Sequence, residues 1–437
     1  MAVSPKFQVR VEGSIRSIEA SVWDSCVKGF APLPESECKV LESGHELAES
    51  AHKIPESEGE RAESNSQGLE SSLEDAFADP GNPFISHAFL YSLEESKSVG
   101  GRSGWIPQHL VVEDERREIH GVAPCYLKAH SQGEYVFDHG WADAYERAGG
   151  NYYPKLQVAV PFTPVTGPRL LVKRGPHAEA ARNALVAGMV ELCKLRSASS
   201  VHVTFAPKSE WDFLTRAGLL ARTDRQFHWH NRGYRTFDDF LSALSSNKRK
   251  TIRRERREAQ ASGIEIVRLT GSELTESVWD SFFGFYMDTG SRKWGRPYLT
   301  REFFSHVSEK LADRTLLIMA KRNGNYIAGA LNFLGAQTIY GRNWGAIEHH
   351  PFLHFEVCYY QAIEYAIEHG LKSVEAGAQG EHKLLRGYVP VPTYSAHYIA
   401  NPALRRAIDD YLVREREYVE AEREHLAEAA PYKRVAT

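Results

Sequence analysis

The chain has 437 residues, 42% of them hydrophobic, enough to bury the cores of two or three domains. Its formal net charge is −4 and its mean hydropathy −0.43, and no stretch approaches the roughly 20 consecutive apolar residues of a membrane-spanning helix, so a small stapled scaffold and a transmembrane segment are both excluded. The five cysteines (Cys26, Cys38, Cys125, Cys193 and Cys358) are scattered without a C-x-x-C pair. This argues against a disulfide framework and a zinc site, and no metal is expected.

The opening run MAVSPKFQVRVEGSI alternates like a strand and lacks the apolar stretch of a secretory signal, which makes a cytoplasmic protein the expectation. Residues 31–75 hold twelve acids, three bases and eight serines. With almost no aromatic or β-branched residue, this segment cannot offset the entropy of ordering and reads as a disordered acidic insertion between two amphipathic helices, WDSCV and NPFISHAFLYSLEES. Its net −9 leaves +5 for the other 392 residues, so the folded body is mildly basic. PQHLVVED and IHGVAPCYLK then read as strands around a charged turn, YVFD and LQVAVPF as two more, HAEAARNALVAGMVELCKL as a helix and SVHVTFAP as a buried strand. The order returns downstream in TLLIMAKRNGNYIAGALNFLG, TIYGRN, the helix HFEVCYYQAIEYAIEHG and the strand SVEAGA, which predicts duplication of one α/β unit. Between the copies, FDDFLSALSSNKRKTIRRERREAQASGIEIVRL reads as a helix pair leading into a strand. Asn401 caps and Pro402 opens a long C-terminal helix whose packed stripe is Leu404, Ile408, Tyr411 and Leu412.

Three runs could carry chemistry. In NKRKTIRRERR, residues 247–257, seven of eleven residues are Lys or Arg. On a helix, Lys250, Arg253, Arg254 and Arg257 share one side, a row suited to the pyrophosphate of coenzyme A, a nucleotide-sugar or an RNA backbone; a solubilising face is the alternative. The run VEAGAQGEHKLLRGYVPVPTYSAH, residues 374–397, plants Glu375 in a strand that should be buried and follows it with glycines that allow close approach. Glu375 could be a general base on an attacking amine, with His382 the competing choice, or it could pair structurally with Lys383 or Arg386. Residues 133–172 cluster aromatics and prolines around Tyr153, Lys155 and Arg169, the composition of a pocket lining or of ordinary aromatic packing. There is no P-loop, dinucleotide fingerprint, H-E-x-x-H or G-x-S-x-G.

These runs, together with NPFISHAFL and RNWGAIEHHPFLHFEVCYYQAIEYAI, resemble the FemAB-like N-acyltransferases, a bacterial family also called peptidoglycan-biosynthesis proteins and placed in the GNAT acyltransferase superfamily. The resemblance implies an α/β (α+β) fold of two tandem GNAT-like domains with a basic helical segment between them and a long C-terminal helix. Residues 1–30 and 76–235 would form the first domain around the 31–75 insertion, 236–400 the second with the basic helix at 246–260, and 401–437 the C-terminal helix and tail. It also implies acyl transfer to an amine, the acyl group arriving on coenzyme A or, as in the better-known Fem transferases, on a tRNA. The superfamily's pyrophosphate loop survives only in distorted form at Arg342, Gly345 and Ala346, which makes the basic helix the expected anion holder.

The expected enzyme is an N-acyltransferase working by direct attack, with acyl-CoA as favoured cosubstrate and a small-molecule amine or cell-wall precursor as acceptor. Glu375 is the expected base with His382 in reserve. Lys250, Arg253, Arg254 and Lys383 would grip phosphates, and Tyr153, Lys155, Arg169 and Gln379 would hold the acceptor. An aminoacyl-tRNA-dependent transferase and a non-catalytic RNA-binding protein on the same fold are the alternatives.

Overall fold

The computed structural model describes residues 6–29, 79–261, 263–293, 297–377 and 380–433. The expected acidic insertion at 31–75 and the candidate Gln379 lie outside these residues. Fifteen strands are described: β1 (Gln8–Glu12), β2 (Trp105–Pro107), β3 (His109–Glu113), β4 (Ile119–Ala123), β5 (Cys125–Lys128), β6 (Lys155–Val158), β7 (Leu171–Val172), β8 (Ser200–Ala206), β9 (Leu220–His230), β10 (Ile264–Leu269), β11 (Thr315–Arg322), β12 (Asn325–Leu334), β13 (Thr338–Ala346), β14 (Ser373–Glu375) and β15 (Val389–Ile399). One sheet has the order β1-β3-β4-β7, the other β10-β11-β12-β13-β14-β9-β15-β8-β6-β5-β2.

The expected duplication is visible in the long sheet. β6 runs parallel to β8 across the helix Ala178–Leu195, and β13 runs parallel to β14 across a helical segment from Leu353 to Glu368. Such crossovers bury a sheet on both faces, and every residue of β8 is buried. Each unit ends in an eleven-residue antiparallel strand, β9 or β15. These last strands are exchanged: β9 pairs with β14 of the second unit and β15 with β8 of the first, while β9 and β15 pair with each other. The two tandem α/β units therefore share one continuous sheet.

The basic segment is the helix Ser246–Ala259, and the long C-terminal helix is Pro402–Glu428. Asn401 caps the latter, its Oδ1 accepting from the backbone N–H groups of Ala403 and Leu404. Its packed stripe is Leu404, Ile408, Leu412 and Val419; Tyr411 is 44% exposed and belongs to the outer face. YVFD is not a strand. Its Asp138 and the preceding Glu134 turn inward to the buried Lys155, and Tyr135 takes a left-handed backbone at φ 60° that breaks the extended run.

Candidate active site

β13 and β14 pair over three positions only, Thr338 with Ser373, Ile339 with Val374 and Tyr340 with Glu375. β13 then continues to Ala346 while the other chain turns away through Ala376 and Gly377. Glu375 thus stands where two parallel strands part, with His228 of β9 opposite it on its other side. Its carboxylate is 3% exposed. Thr166 Oγ1 donates to Oε1 at 2.6 Å, and Arg342 Nη2 lies 3.3 Å from Oε2. Burial raises the Glu375 pKa, and Arg342 and Thr166 pull against that rise.

Arg342 is buried, packed over the rings of Phe84 and Tyr340, and has no protein partner for its Nε. Lys383 belongs to the same neighbourhood. Its Nζ donates to the Gly377 carbonyl at 3.0 Å, and burial together with the field of Arg342 brings its pKa down to about 7. Burial likewise holds His228 neutral, at about 3, with Arg342 and Lys383 adding to the effect. Tyr135 reaches the cluster from the first unit, within the field of Arg342. Beside it opens a small pocket lined by Thr166, Gly167, Ala206, Pro207, Lys208, His228 and the β15 segment Val391–Tyr394. The pocket exists because β8 pairs with β15 only from Tyr394 onward, leaving one edge of the preceding residues open, and Pro390 and Pro392 carry no N–H there to be paired.

Of the residues expected to act, Glu375 and Lys383 come together; Lys383 faces Arg342 and Gly377 rather than the cations of the basic helix. His382 is exposed, its Nε2 2.9 Å from the Tyr359 hydroxyl. Neither structural partner expected for Glu375 is used, because Arg386 is bound to Glu255 and Lys383 to a carbonyl. Lys250, Arg253 and Arg254 stand exposed on the basic helix, with Arg253 on Asp238, whereas Arg256 turns inward to Glu356 and Glu364.

The described residues expected to hold the acceptor have partners within the protein. Arg169 has no exposed surface, and its guanidinium donates to the carbonyls of Val165, Gly167, Pro168 and Thr204, so it clamps a loop. Lys155, equally buried, is saturated by Ser131, Glu134 and Asp138. Tyr153 bonds Ser131 at the edge of that second polar cluster. The distorted phosphate loop is also explained otherwise: Arg342 is the partner of Glu375, and a Cβ on Gly345 would lie 2.3 Å from the Phe285 carbonyl, so this glycine lets the helix Glu276–Lys293 lie against β13. Among the described residues, Asp114 and Glu118 on the turn between β3 and β4, and His120 at the start of β4, bring potential metal-ligand atoms within 4.8 Å of one another in the other sheet. No described helix is long and apolar enough to cross a membrane.

With tandem α/β units and a buried carboxylate at the parting of two parallel strands beside a pocket, the protein is an enzyme of the transferase class. The family follows from its sequence: the profile of the FemAB-like family, described as peptidoglycan biosynthesis/recognition, matches residues 67–434, and the chain belongs to that family. No curated protein matches the chain. Among solved structures it is similar to FemX at 14% identity, covering 78% of this chain and 98% of that one with a TM-score of 0.48. It is similar to L-PGS from Bacillus licheniformis at 10% identity, with 82% and 99% covered and a TM-score of 0.46. A tandem GNAT protein from the clavulanic acid biosynthesis pathway shares 12% identity, with 91% and 99% covered and a TM-score of 0.43.

Proposed function

We propose that the protein is an N-acyltransferase that joins an acyl group from acyl-CoA to a primary amine of a cell-wall precursor, by direct attack and without a covalent enzyme intermediate. The observation that carries this reading is Glu375, buried where β13 and β14 part, held by Arg342 and Thr166 and next to a pocket. A carboxylate whose pKa burial raises is suited to taking a proton from an attacking ammonium or amine. Arg342, with its unpartnered Nε, and Lys383 would stabilise charge developing on the carbonyl oxygen; a dry site makes such donors worth more than in water.

The exposed row Lys250, Arg253 and Arg254 favours a second donor, an aminoacyl-tRNA, whose backbone such a row suits. Purified protein is incubated with acetyl-CoA, a long-chain acyl-CoA or aminoacyl-tRNA and a muropeptide carrying a primary amine, and the product mass is read with and without ribonuclease. Ribonuclease-resistant transfer from an acyl-CoA is the expected result; transfer only from tRNA overturns the donor. Glu375→Gln should lower turnover by about 100-fold or more. Full activity in that variant would remove Glu375 as base.

A further inference from the structure

Glu375 does not line the pocket; Thr166 does, and the same hydroxyl donates to Glu375 at 2.6 Å. Thr166 thus joins the space where an acceptor can sit to the buried carboxylate. Its place is fixed from several directions. The Thr166 carbonyl accepts from Asn82 Nδ2 at 2.9 Å, Arg169 binds the carbonyls of Val165 and Gly167 on either side, and the Gly167 N–H donates to the Phe205 carbonyl at 3.0 Å. A loop with no sheet pairing of its own is thereby tied down around one partly buried threonine.

We infer that Thr166 is a proton relay: an amine bound in the pocket passes its proton to Thr166 Oγ1 as the Thr166 proton moves to Glu375 Oε1. This rests on Glu375 being the base. In the step, the amine nitrogen forms the new C–N bond to the acyl carbonyl carbon and the donor's C–S bond breaks. The nitrogen's proton goes to Thr166, the hydroxyl's own proton to Glu375, and from Glu375 a proton returns through the same hydroxyl to the leaving thiolate. The products are an amide and a thiol, with Glu375 ionised again. The relay also explains why the carboxylate can be sealed from the pocket: its access to protons is through a hydroxyl that water need not replace.

The test uses the full chain and the acyl-CoA and muropeptide amine of the assay above, in single turnovers. Thr166→Val keeps the shape and removes the hydroxyl; it should slow the chemical step on the order of 100-fold with KM for both substrates within about threefold, and Thr166→Ser should restore the rate to within about threefold of wild type. In mixtures of light and heavy water, the wild-type rate should fall along a bowed curve, as two protons in flight require, and the Thr166→Val rate along a straight line. A wild-type rate in Thr166→Val beside an inactive Glu375→Gln overturns the relay and leaves the base in place. A straight line for the wild-type protein overturns the relay without any variant. Full activity in Glu375→Gln removes the base, and the relay with it.

Discussion

Arg169 offers a direct contest between a ligand-holding role and a clamping one. Replacing it with Met removes the donors to four buried carbonyls, those of Val165, Gly167, Pro168 and Thr204, at distances of 2.6 to 3.2 Å. Hydrogen bonds from a charged donor contribute about 1.5–3 kcal/mol each, and carbonyls left unpaired in the interior cost about 1–3 kcal/mol. Against this stands the cost of burying a guanidinium, which burial has pushed to a pKa of about 10. The balance is a loss of about 4 kcal/mol, in the range found when one partner of a buried charged network is removed. Urea denaturation followed by tryptophan fluorescence reads this as a lower midpoint with an unchanged slope. Because Thr166 lies inside the clamped loop, turnover should fall while acceptor KM changes little. A variant of wild-type stability with a large rise in acceptor KM alone would refute the clamp and restore Arg169 as a substrate ligand.

Three further outcomes follow from charge and burial. Changing Lys250, Arg253 and Arg254 together to Ala should leave the melting temperature within about 2 °C and weaken tRNA or coenzyme A binding, because exposed pairs such as Arg253 with Asp238 contribute little; Arg256→Ala, which strands the buried Glu356, should instead cost about 3–5 kcal/mol of stability by denaturant titration. Burial holds His202 and His228 at about 3 and His397 well below its ordinary value. Their folded pKa values are depressed, so the unfolded chain takes up protons below about pH 6.5 that the folded one refuses, and stability present above that pH is lost as pH falls towards the folded values, by roughly 1.4 kcal/mol per pH unit per histidine. Glu134, raised to about 7 by burial, opposes part of this. His202→Gln should flatten the slope of unfolding free energy against pH between 6.5 and 5 by about one histidine's share; an unchanged slope would show that His202 is protonated in the fold.

The elements that could be read from the amino acids are those whose local chemistry agrees with their place. β8 sets its valines between polar residues, β11 carries the apolar run Leu316–Ala320, and Asn401-Pro402 opens its helix as caps usually do. β9 and β15 escape such a reading. The first carries Arg222, Asp224 and Arg225, and the second Pro390 and Pro392, patterns that argue against a central strand. They are central because each lies beside the other unit's strand, a tertiary arrangement that no local periodicity encodes. Glu375 is legible as an anomaly, a carboxylate in a buried strand; its partner is not, since Arg342 reaches it only through the register of two parallel strands 33 residues apart in sequence. Thr166 and His228 carry no signal of their own. Arg169 and Lys155 look like ligand holders because a cation among aromatics reads the same whether its partners are a substrate or the protein's own carbonyls and carboxylates.

The exchanged last strands set an order on biosynthesis. On the ribosome the first unit emerges with β8 lacking its neighbour, and it stays incomplete until β15, more than 180 residues later, has been made. Thr166 is translated early and Glu375 late, and the pocket beside them needs Val391–Tyr394 as a wall. A truncated chain, whether from a stalled ribosome or a protease, therefore has no assembled centre. Competence for chemistry therefore waits for β15.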